Sequence, residues 1–133
     1  MSLQVQVVSP ERIVWSGDAE MVVSRTIEGG EIAFLTGHAP FVGALDIGKV
    51  LIRPLDGADV TFAVHGGFVE VSNNEVSLLS DVAEAGDQID VARATAAKAR
   101  AEAQLAHDST DAAAVAALHR ALVRLEVAGV KVA

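Results

Sequence analysis

The apolar residues of this chain recur with a period of two, or in short blocks, from Leu3 to about Leu79. From about Asp87 onward the period is close to 3.6. One element type cannot serve both patterns, since the first puts alternate side chains on two faces of a strand and the second winds them along one stripe of a helix. The chain therefore reads as two segments of different architecture, 1–86 and 87–133.

In the first segment Leu3, Val5 and Val7 alternate with Gln4 and Gln6, as in a half-buried strand. Further strand-like runs cover 12–15, 19–27, 31–35, 49–52, 60–65, 68–71 and 75–79. Asp56-Gly57 and Asn73-Asn74 separate successive runs with residues that tolerate the positive φ of tight hairpins. Many short strands broken by turns predict a compact all-β sandwich or barrel.

In the second segment Asp87 is expected to cap a helix, with Asp90 at its third position, ahead of a stretch rich in Ala, Arg, Lys, Gln and Glu. Ala92, Ala96, Ala99 and Ala103 fall at i, i+4, i+7 and i+11 and predict a smooth alanine seam. His107-Asp108-Ser109-Thr110 interrupts the pattern and offers oxygens to cap a second helix that runs to about Val127. Its expected apolar line is Val115, Leu118, Leu122 and Leu125. So short a loop makes the two helices an antiparallel α-helical hairpin, and alanine buries too little area to hold it firmly.

Composition narrows the function. A 133-residue chain that is 51% hydrophobic can fill a core. No apolar run reaches the ~20 residues of a membrane-spanning helix, and Met1-Ser2-Leu3-Gln4 lacks a signal-peptide profile, so a cytosolic protein without direct membrane insertion is expected. The chain has no Cys, which excludes disulfides, thiolate metal sites and a cysteine nucleophile. Its net charge of −8 argues against nucleic acid. That charge is uneven: 1–87 carry 4 Lys/Arg against 13 Asp/Glu, whereas 88–133 carry 6 against 5, as two parts with different partners would.

No catalytic signature appears, whether nucleophile elbow, P-loop or dinucleotide fingerprint, so the chain is not expected to be an enzyme. His38, His65, His107 and His119 lack the spacing of a metal site and read as ordinary polar histidines, with no metal expected. One stripe stands out. Arg93 and Arg100 lie seven residues apart on one helical face, Asp90 sits a turn before Arg93, and Arg120 and Arg124 stack on the second helix. Brought together by the hairpin they would form a four-arginine anion site. The same spacing equally fits an Asp90–Arg93 ion pair on a solvated face.

Four stretches in order resemble one family. Ser9-Pro10-Glu11 with Val14-Trp15-Ser16-Gly17 are similar to the first hairpin of the epsilon subunit of F-type ATP synthase. Gly30-Glu31 through Gly37-His38-Ala39-Pro40 resemble its G-E…G-H-x-P loop, although Ala33 and Thr36 stand where Gly and Pro are usual. Gly66-Gly67-Phe68-Val69-Glu70-Val71 is similar to its G-G-F-x-E-V strand, and Ile89-Asp90-Val91-Ala92-Arg93-Ala94 to the start of its first C-terminal helix.

The resemblance implies a sandwich of about ten strands followed by a helical hairpin. It implies a non-catalytic rotor subunit of the proton-translocating complex, peripheral on the cytoplasmic face of a bacterial plasma membrane. The expected partners are the gamma subunit, the ring subunits of the membrane sector through Glu31 and His38, and the catalytic alpha/beta head through the C-terminal helices. No cofactor is required. ATP is implied as a regulatory ligand on Glu84, Ile89, Asp90, Arg93, Ala94, Arg100, Arg120 and Arg124, with the mobile hairpin inhibiting ATP hydrolysis. The rival readings are a small-molecule-binding β-sandwich, which calls for a polar cluster in a cleft, and a helical-hairpin adaptor, which leaves the sandwich motifs unexplained.

Overall fold

The computed structural model describes residues 2–130; Met1 and 131–133, the outer ends of the two expected segments, lie outside the described residues. Nine strands precede two helices: β1 Leu3–Val8, β2 Ile13–Thr26, β3 Gly30–Leu35, β4 Phe41–Ala44, β5 Ile47–Pro54, β6 Val60–His65, β7 Phe68–Ser72, β8 Glu75–Leu79, β9 Ala83–Ala85, α1 Val91–His107 and α2 Ala112–Val127. The strands run in the order β4-β7-β8-β1-β2-β5-β6-β9, with β3 pairing β2 beside that path. They form a β-sandwich followed by a helical hairpin. All the neighbouring strands pair antiparallel except β1 and β8, which run parallel.

The alternation in β1 is realised directly: Leu3, Val5 and Val7 are fully buried while Gln4 and Gln6 are exposed. They join Val22, Phe34, Ile52, Phe62, Val69 and Leu78 in a single sandwich core. Asn73 and Asn74 take φ values of 50° and 61° in the tight β7–β8 turn, and Gly57 takes 95° between β5 and β6. These are the left-handed conformations that the turn residues anticipated.

Nine strands stand among the described residues, in keeping with about ten, but the elements are divided differently. Runs 12–15 and 19–27 merge into the 14-residue β2, because Ser16, Gly17 and Asp18 continue the ladder with β1 instead of turning. A register shift between Ala19 and Met21 bends this strand as it passes from β1 to β3 and β5. Two strands escaped the periodicity. β4 is four residues with a glycine inside it, and β9 is three residues that exist as a strand by pairing with β6.

The first helix also starts later than expected. Asp87 lies in a 3-10 turn, Gly86–Gln88, and Asp90 is the N-cap, its side chain accepting the Arg93 backbone N–H. Ile89 decides this, because it stays extended at φ −77° and ψ 130° with its side chain buried against Ala63, Val123 and Val127. Asp111, not the 107–110 stretch, caps α2 by accepting from Ala114 N.

The alanine seam lies on another face. Ala92, Ala96, Ala99 and Ala103 are exposed, whereas Ala94 and Ala101 are buried, with Ala97 and Leu105 partly buried on the same stripe. Alanine is so dense in α1 that both stripes have helical spacing, and the occupied one alone continues to Leu105, a large apolar side chain. In α2 Leu125 is buried and Leu118 and Leu122 partly so, but Val115 is 51% exposed. The second helix has two jobs. Ala114 and Ala121 are buried in the helical pair, while Val123 and Val127 meet Ile89 and Ala63 on the sandwich. Among the described residues, no helix is long and apolar enough to cross a membrane.

Candidate functional site

The hairpin docks along β5 and β6, and its contact with the sandwich is small. Buried Val123, Val127, Ile89 and Ala63 supply it, with Ile47 and Ala128 at the margin. Each buried valine or isoleucine contributes at most about 1.5–3 kcal/mol, and the ordering of a helix opposes that gain. Two polar contacts reinforce it. Lys49 Nζ on β5 lies 3.4 Å from Glu126 Oε1, and Arg124 Nε donates to Glu84 Oε1 at 2.7 Å.

Between β9, the 3-10 turn, α1 and α2 lies a cleft of about 360 Å³, within the usual ligand range of about 300–1,000 Å³. Three arginines line it: Arg93 and Arg100 from α1, and Arg124 from α2. Glu84 from β9, Asp90 at the helix cap, Gln88, Ala94 and Ala97 complete the wall. Ala94 and Ala97 leave room between the two α1 arginines. Asp90 does not pair with the Arg93 side chain, as the ion-pair alternative required. Its Oδ1 accepts the Arg93 backbone N–H at 3.0 Å, and among the described residues Arg93 and Arg100 form no ion pair.

Six of the eight expected ligand residues, Glu84, Asp90, Arg93, Ala94, Arg100 and Arg124, share this wall. Ile89 is buried beneath it as a packing residue. Arg120 lies outside the wall, although its charge reaches His65. Three of the four arginines therefore line one cleft.

His65 is the residue that sequence reasoning missed. Its side chain is 5% exposed at the end of β6, and Nε2 lies 3.2 Å from Glu84 Oε1, the oxygen that also takes Arg124. Burial, then Arg124, push the imidazole below its usual pKa, against the upward pull of Glu84. The β6–β9 ladder makes this meeting: Ala63 pairs with Glu84, and His65 follows Ala63 by two on the same face. Because β9 has no apolar signature, the pairing was invisible beforehand.

Glu31 and His38 do not share a loop. Glu31 is the second residue of β3, opposite Arg25, beside a polar groove shared with Lys49, His119 and Glu126. His38 lies beyond the other end of β3, its Nδ1 2.7 Å from Ala39 O and its ring edge-on to Phe34. Gly37 N donates to Asn74 Oδ1 at 2.7 Å, tying this turn to the β7–β8 turn. Among the described residues no group of His, Asp and Glu is placed to hold a metal ion.

A nine-stranded sandwich with a lightly docked helical pair, and an arginine-lined cleft between them, defines a two-part protein of β-sandwich and helical hairpin. Residues 2–86 match the beta-sandwich domain of the delta/epsilon chain of ATP synthase, and residues 87–129 match its long alpha-helix domain. A Streptomyces griseus protein named ATP synthase epsilon chain is 43% identical over 97% of this chain and 97% of its own length. A Bacillus pumilus protein of the same name is 45% identical over 96% and 98%. A solved structure of Euglena gracilis mitochondrial ATP synthase contains a chain with the same fold, at TM-score 0.72 and 22% identity, covering 95% of this chain and 76% of that one. The chain belongs to the delta/epsilon chain family of ATP synthase, as an epsilon chain.

Proposed function

We propose that the chain is a central-stalk subunit of a bacterial, proton-driven F-type ATP synthase and that its hairpin is a nucleotide-held brake on ATP hydrolysis. The observation that carries this reading is the cleft itself: α1, α2 and β9 each supply a wall, so it exists only while the hairpin is docked. Arg93, Arg100 and Arg124 suit a triphosphate, because several forked donors share its charge, and Glu84 or Asp90 can accept from a base amine or ribose hydroxyls. A ligand that needs all three walls stabilises the docked form by its differential affinity. Its loss frees α2 to extend toward the catalytic head, where Arg120 and Arg124 would meet acidic surfaces, Arg124 having exchanged Glu84 for them.

The sandwich supplies the rotor contacts in this reading. Val42 on edge strand β4 and Phe68 on β7 are 70% and 57% exposed, and with Ile27 they edge an apolar groove suited to the gamma stalk. The ring meets one end of β3, and cysteine cross-linking from position 31 and from position 38 in the assembled enzyme tells which.

Titration of the full chain with ATP, followed by amide shifts in α1 and α2, tests the brake. Saturable shifts are expected, weakened at least tenfold in Arg93→Ala and Arg100→Ala with sandwich signals unmoved. No shift at millimolar ATP would remove the nucleotide from the proposal and leave the subunit assignment standing.

A further inference from the structure

We propose that His65 is the positioning residue of this cleft and makes the docking of α2 proton-sensitive, because its neutral ring fits the docked contacts and its protonated ring does not. The inference rests on the mobile hairpin proposed above.

The geometry sets the proton's place. Glu84 Oε1 receives Arg124 Nε at 2.7 Å and faces His65 Nε2 at 3.2 Å, so one oxygen joins α2, β9 and β6. A carboxylate only accepts, hence the docked ring carries its hydrogen on Nε2. Glu84 Oε2, which makes no hydrogen bond among the described residues, then remains to a ligand in the cleft. The other ring nitrogen, Nδ1, is buried without a partner. As a lone pair it is tolerated. As an N–H of an imidazolium it would be a buried donor with no acceptor, among the costlier states in a protein interior.

The surrounding charges add to this. Arg124 and Arg120 face the ring from α2, Glu84 faces it from β9, and the ladder partner on β5 is the apolar Ile47. Burial and the two arginines outweigh the single carboxylate and hold the docked imidazole below its ordinary value of 6.5. When α2 leaves, it takes both arginines with it while Glu84 stays beside the ring on β9, so the ring rises from its docked value. The docked form therefore binds fewer protons. Docking is at full strength above the undocked value and is lost as the pH falls through it toward the lowered, docked one. One proton moves the equilibrium by up to about tenfold per pH unit in that interval.

The test uses the full, nucleotide-free chain, which has no cysteine of its own, with spin labels on cysteines placed at exposed Glu70 and Val115. His38, His107 and His119 are replaced by Gln so that His65 is the one histidine left. The docked distance is expected to lose population as the pH falls from 8 to 5. In His65→Gln, which keeps an amide donor and cannot titrate, it should persist. Arg124→Ala is the control and should shift the docked-to-undocked ratio at pH 8 by about fivefold toward the undocked form. If it does so while the chain that keeps His65 and the His65→Gln variant answer pH alike, the proton device is overturned and the mobile hairpin stands. If neither Arg124→Ala nor acid changes the distance, both are overturned. The His65 ring signals supply a check that needs no variant at this site: titration at or above the ordinary histidine value while docked overturns the proposal.

Discussion

Arg124 and Glu84, forty residues apart, meet with Nε 2.7 Å from Oε1 and so tie the second helix to the last strand of the sandwich. Both side chains are partly exposed, which limits the worth of the pair to about 1 kcal/mol. A double-mutant cycle with Arg124→Ala and Glu84→Ala should return a coupling of that size. Hydrogen exchange locates it: α2 amides should exchange about fivefold faster in either single variant, with β1 and β8 unchanged. Equal acceleration across the sandwich would mean that the pair supports the whole fold.

Two glycines separate the stability of the parts. A Cβ on Gly67 would lie 1.9 Å from the Leu79 carbonyl oxygen at a φ of +109°, so Gly67→Ala should destabilise the sandwich by about 3 kcal/mol or more, read from denaturant unfolding. A Cβ on Gly86 would lie 2.6 Å from the Val127 carbonyl oxygen. Gly86→Ala should therefore push the end of α2 away while the sandwich melts as before. Loss of sandwich stability in this variant would show that the two parts unfold together.

Phe34 is fully buried in the core and Val115 half exposed on α2. Phe34→Ala should cost about 3–5 kcal/mol. Val115→Ala should change stability by less than about 0.5 kcal/mol. A large effect at Val115 would restore the apolar line that the periodicity suggested.

The turn between the helices holds a perturbed acid. Hydrogen bonds from the Thr110 hydroxyl and then its backbone N–H hold Asp108 below the usual carboxylate value. The stabilisation is present above the ordinary aspartate value and is lost as the pH falls through the lowered one. In a carboxyl-detected titration, Thr110→Ala should move the Asp108 midpoint upward.

Much of this protein was legible in local pattern. Alternation of Leu3, Val5 and Val7, the paired asparagines at 73–74, and the switch to helical spacing after the last strand each depend on a few neighbouring residues, and each gave the element observed. Three of the residues that line the cleft, Asp90, Arg93 and Arg100, were also marked in advance, since they share one face of any helix built from them, whereas Gln88 and Ala97 were not.

What the sequence determined by itself, then, was a compact all-β sandwich or barrel, the helical pair and the basic stripe, because those follow from periods and spacings inside single elements. Tertiary structure decided which alanine stripe is buried, since Ala92 and Ala94 both head stripes of helical spacing and packing against α2 takes the one that reaches Leu105. It decided that Asp90 caps α1, because burying Ile89 on the sandwich holds the preceding backbone extended. It also decided that His65, ordinary in sequence, shares a carboxylate oxygen with Arg124, because β9 becomes a strand by pairing with the edge of β6, a contact no local pattern encodes.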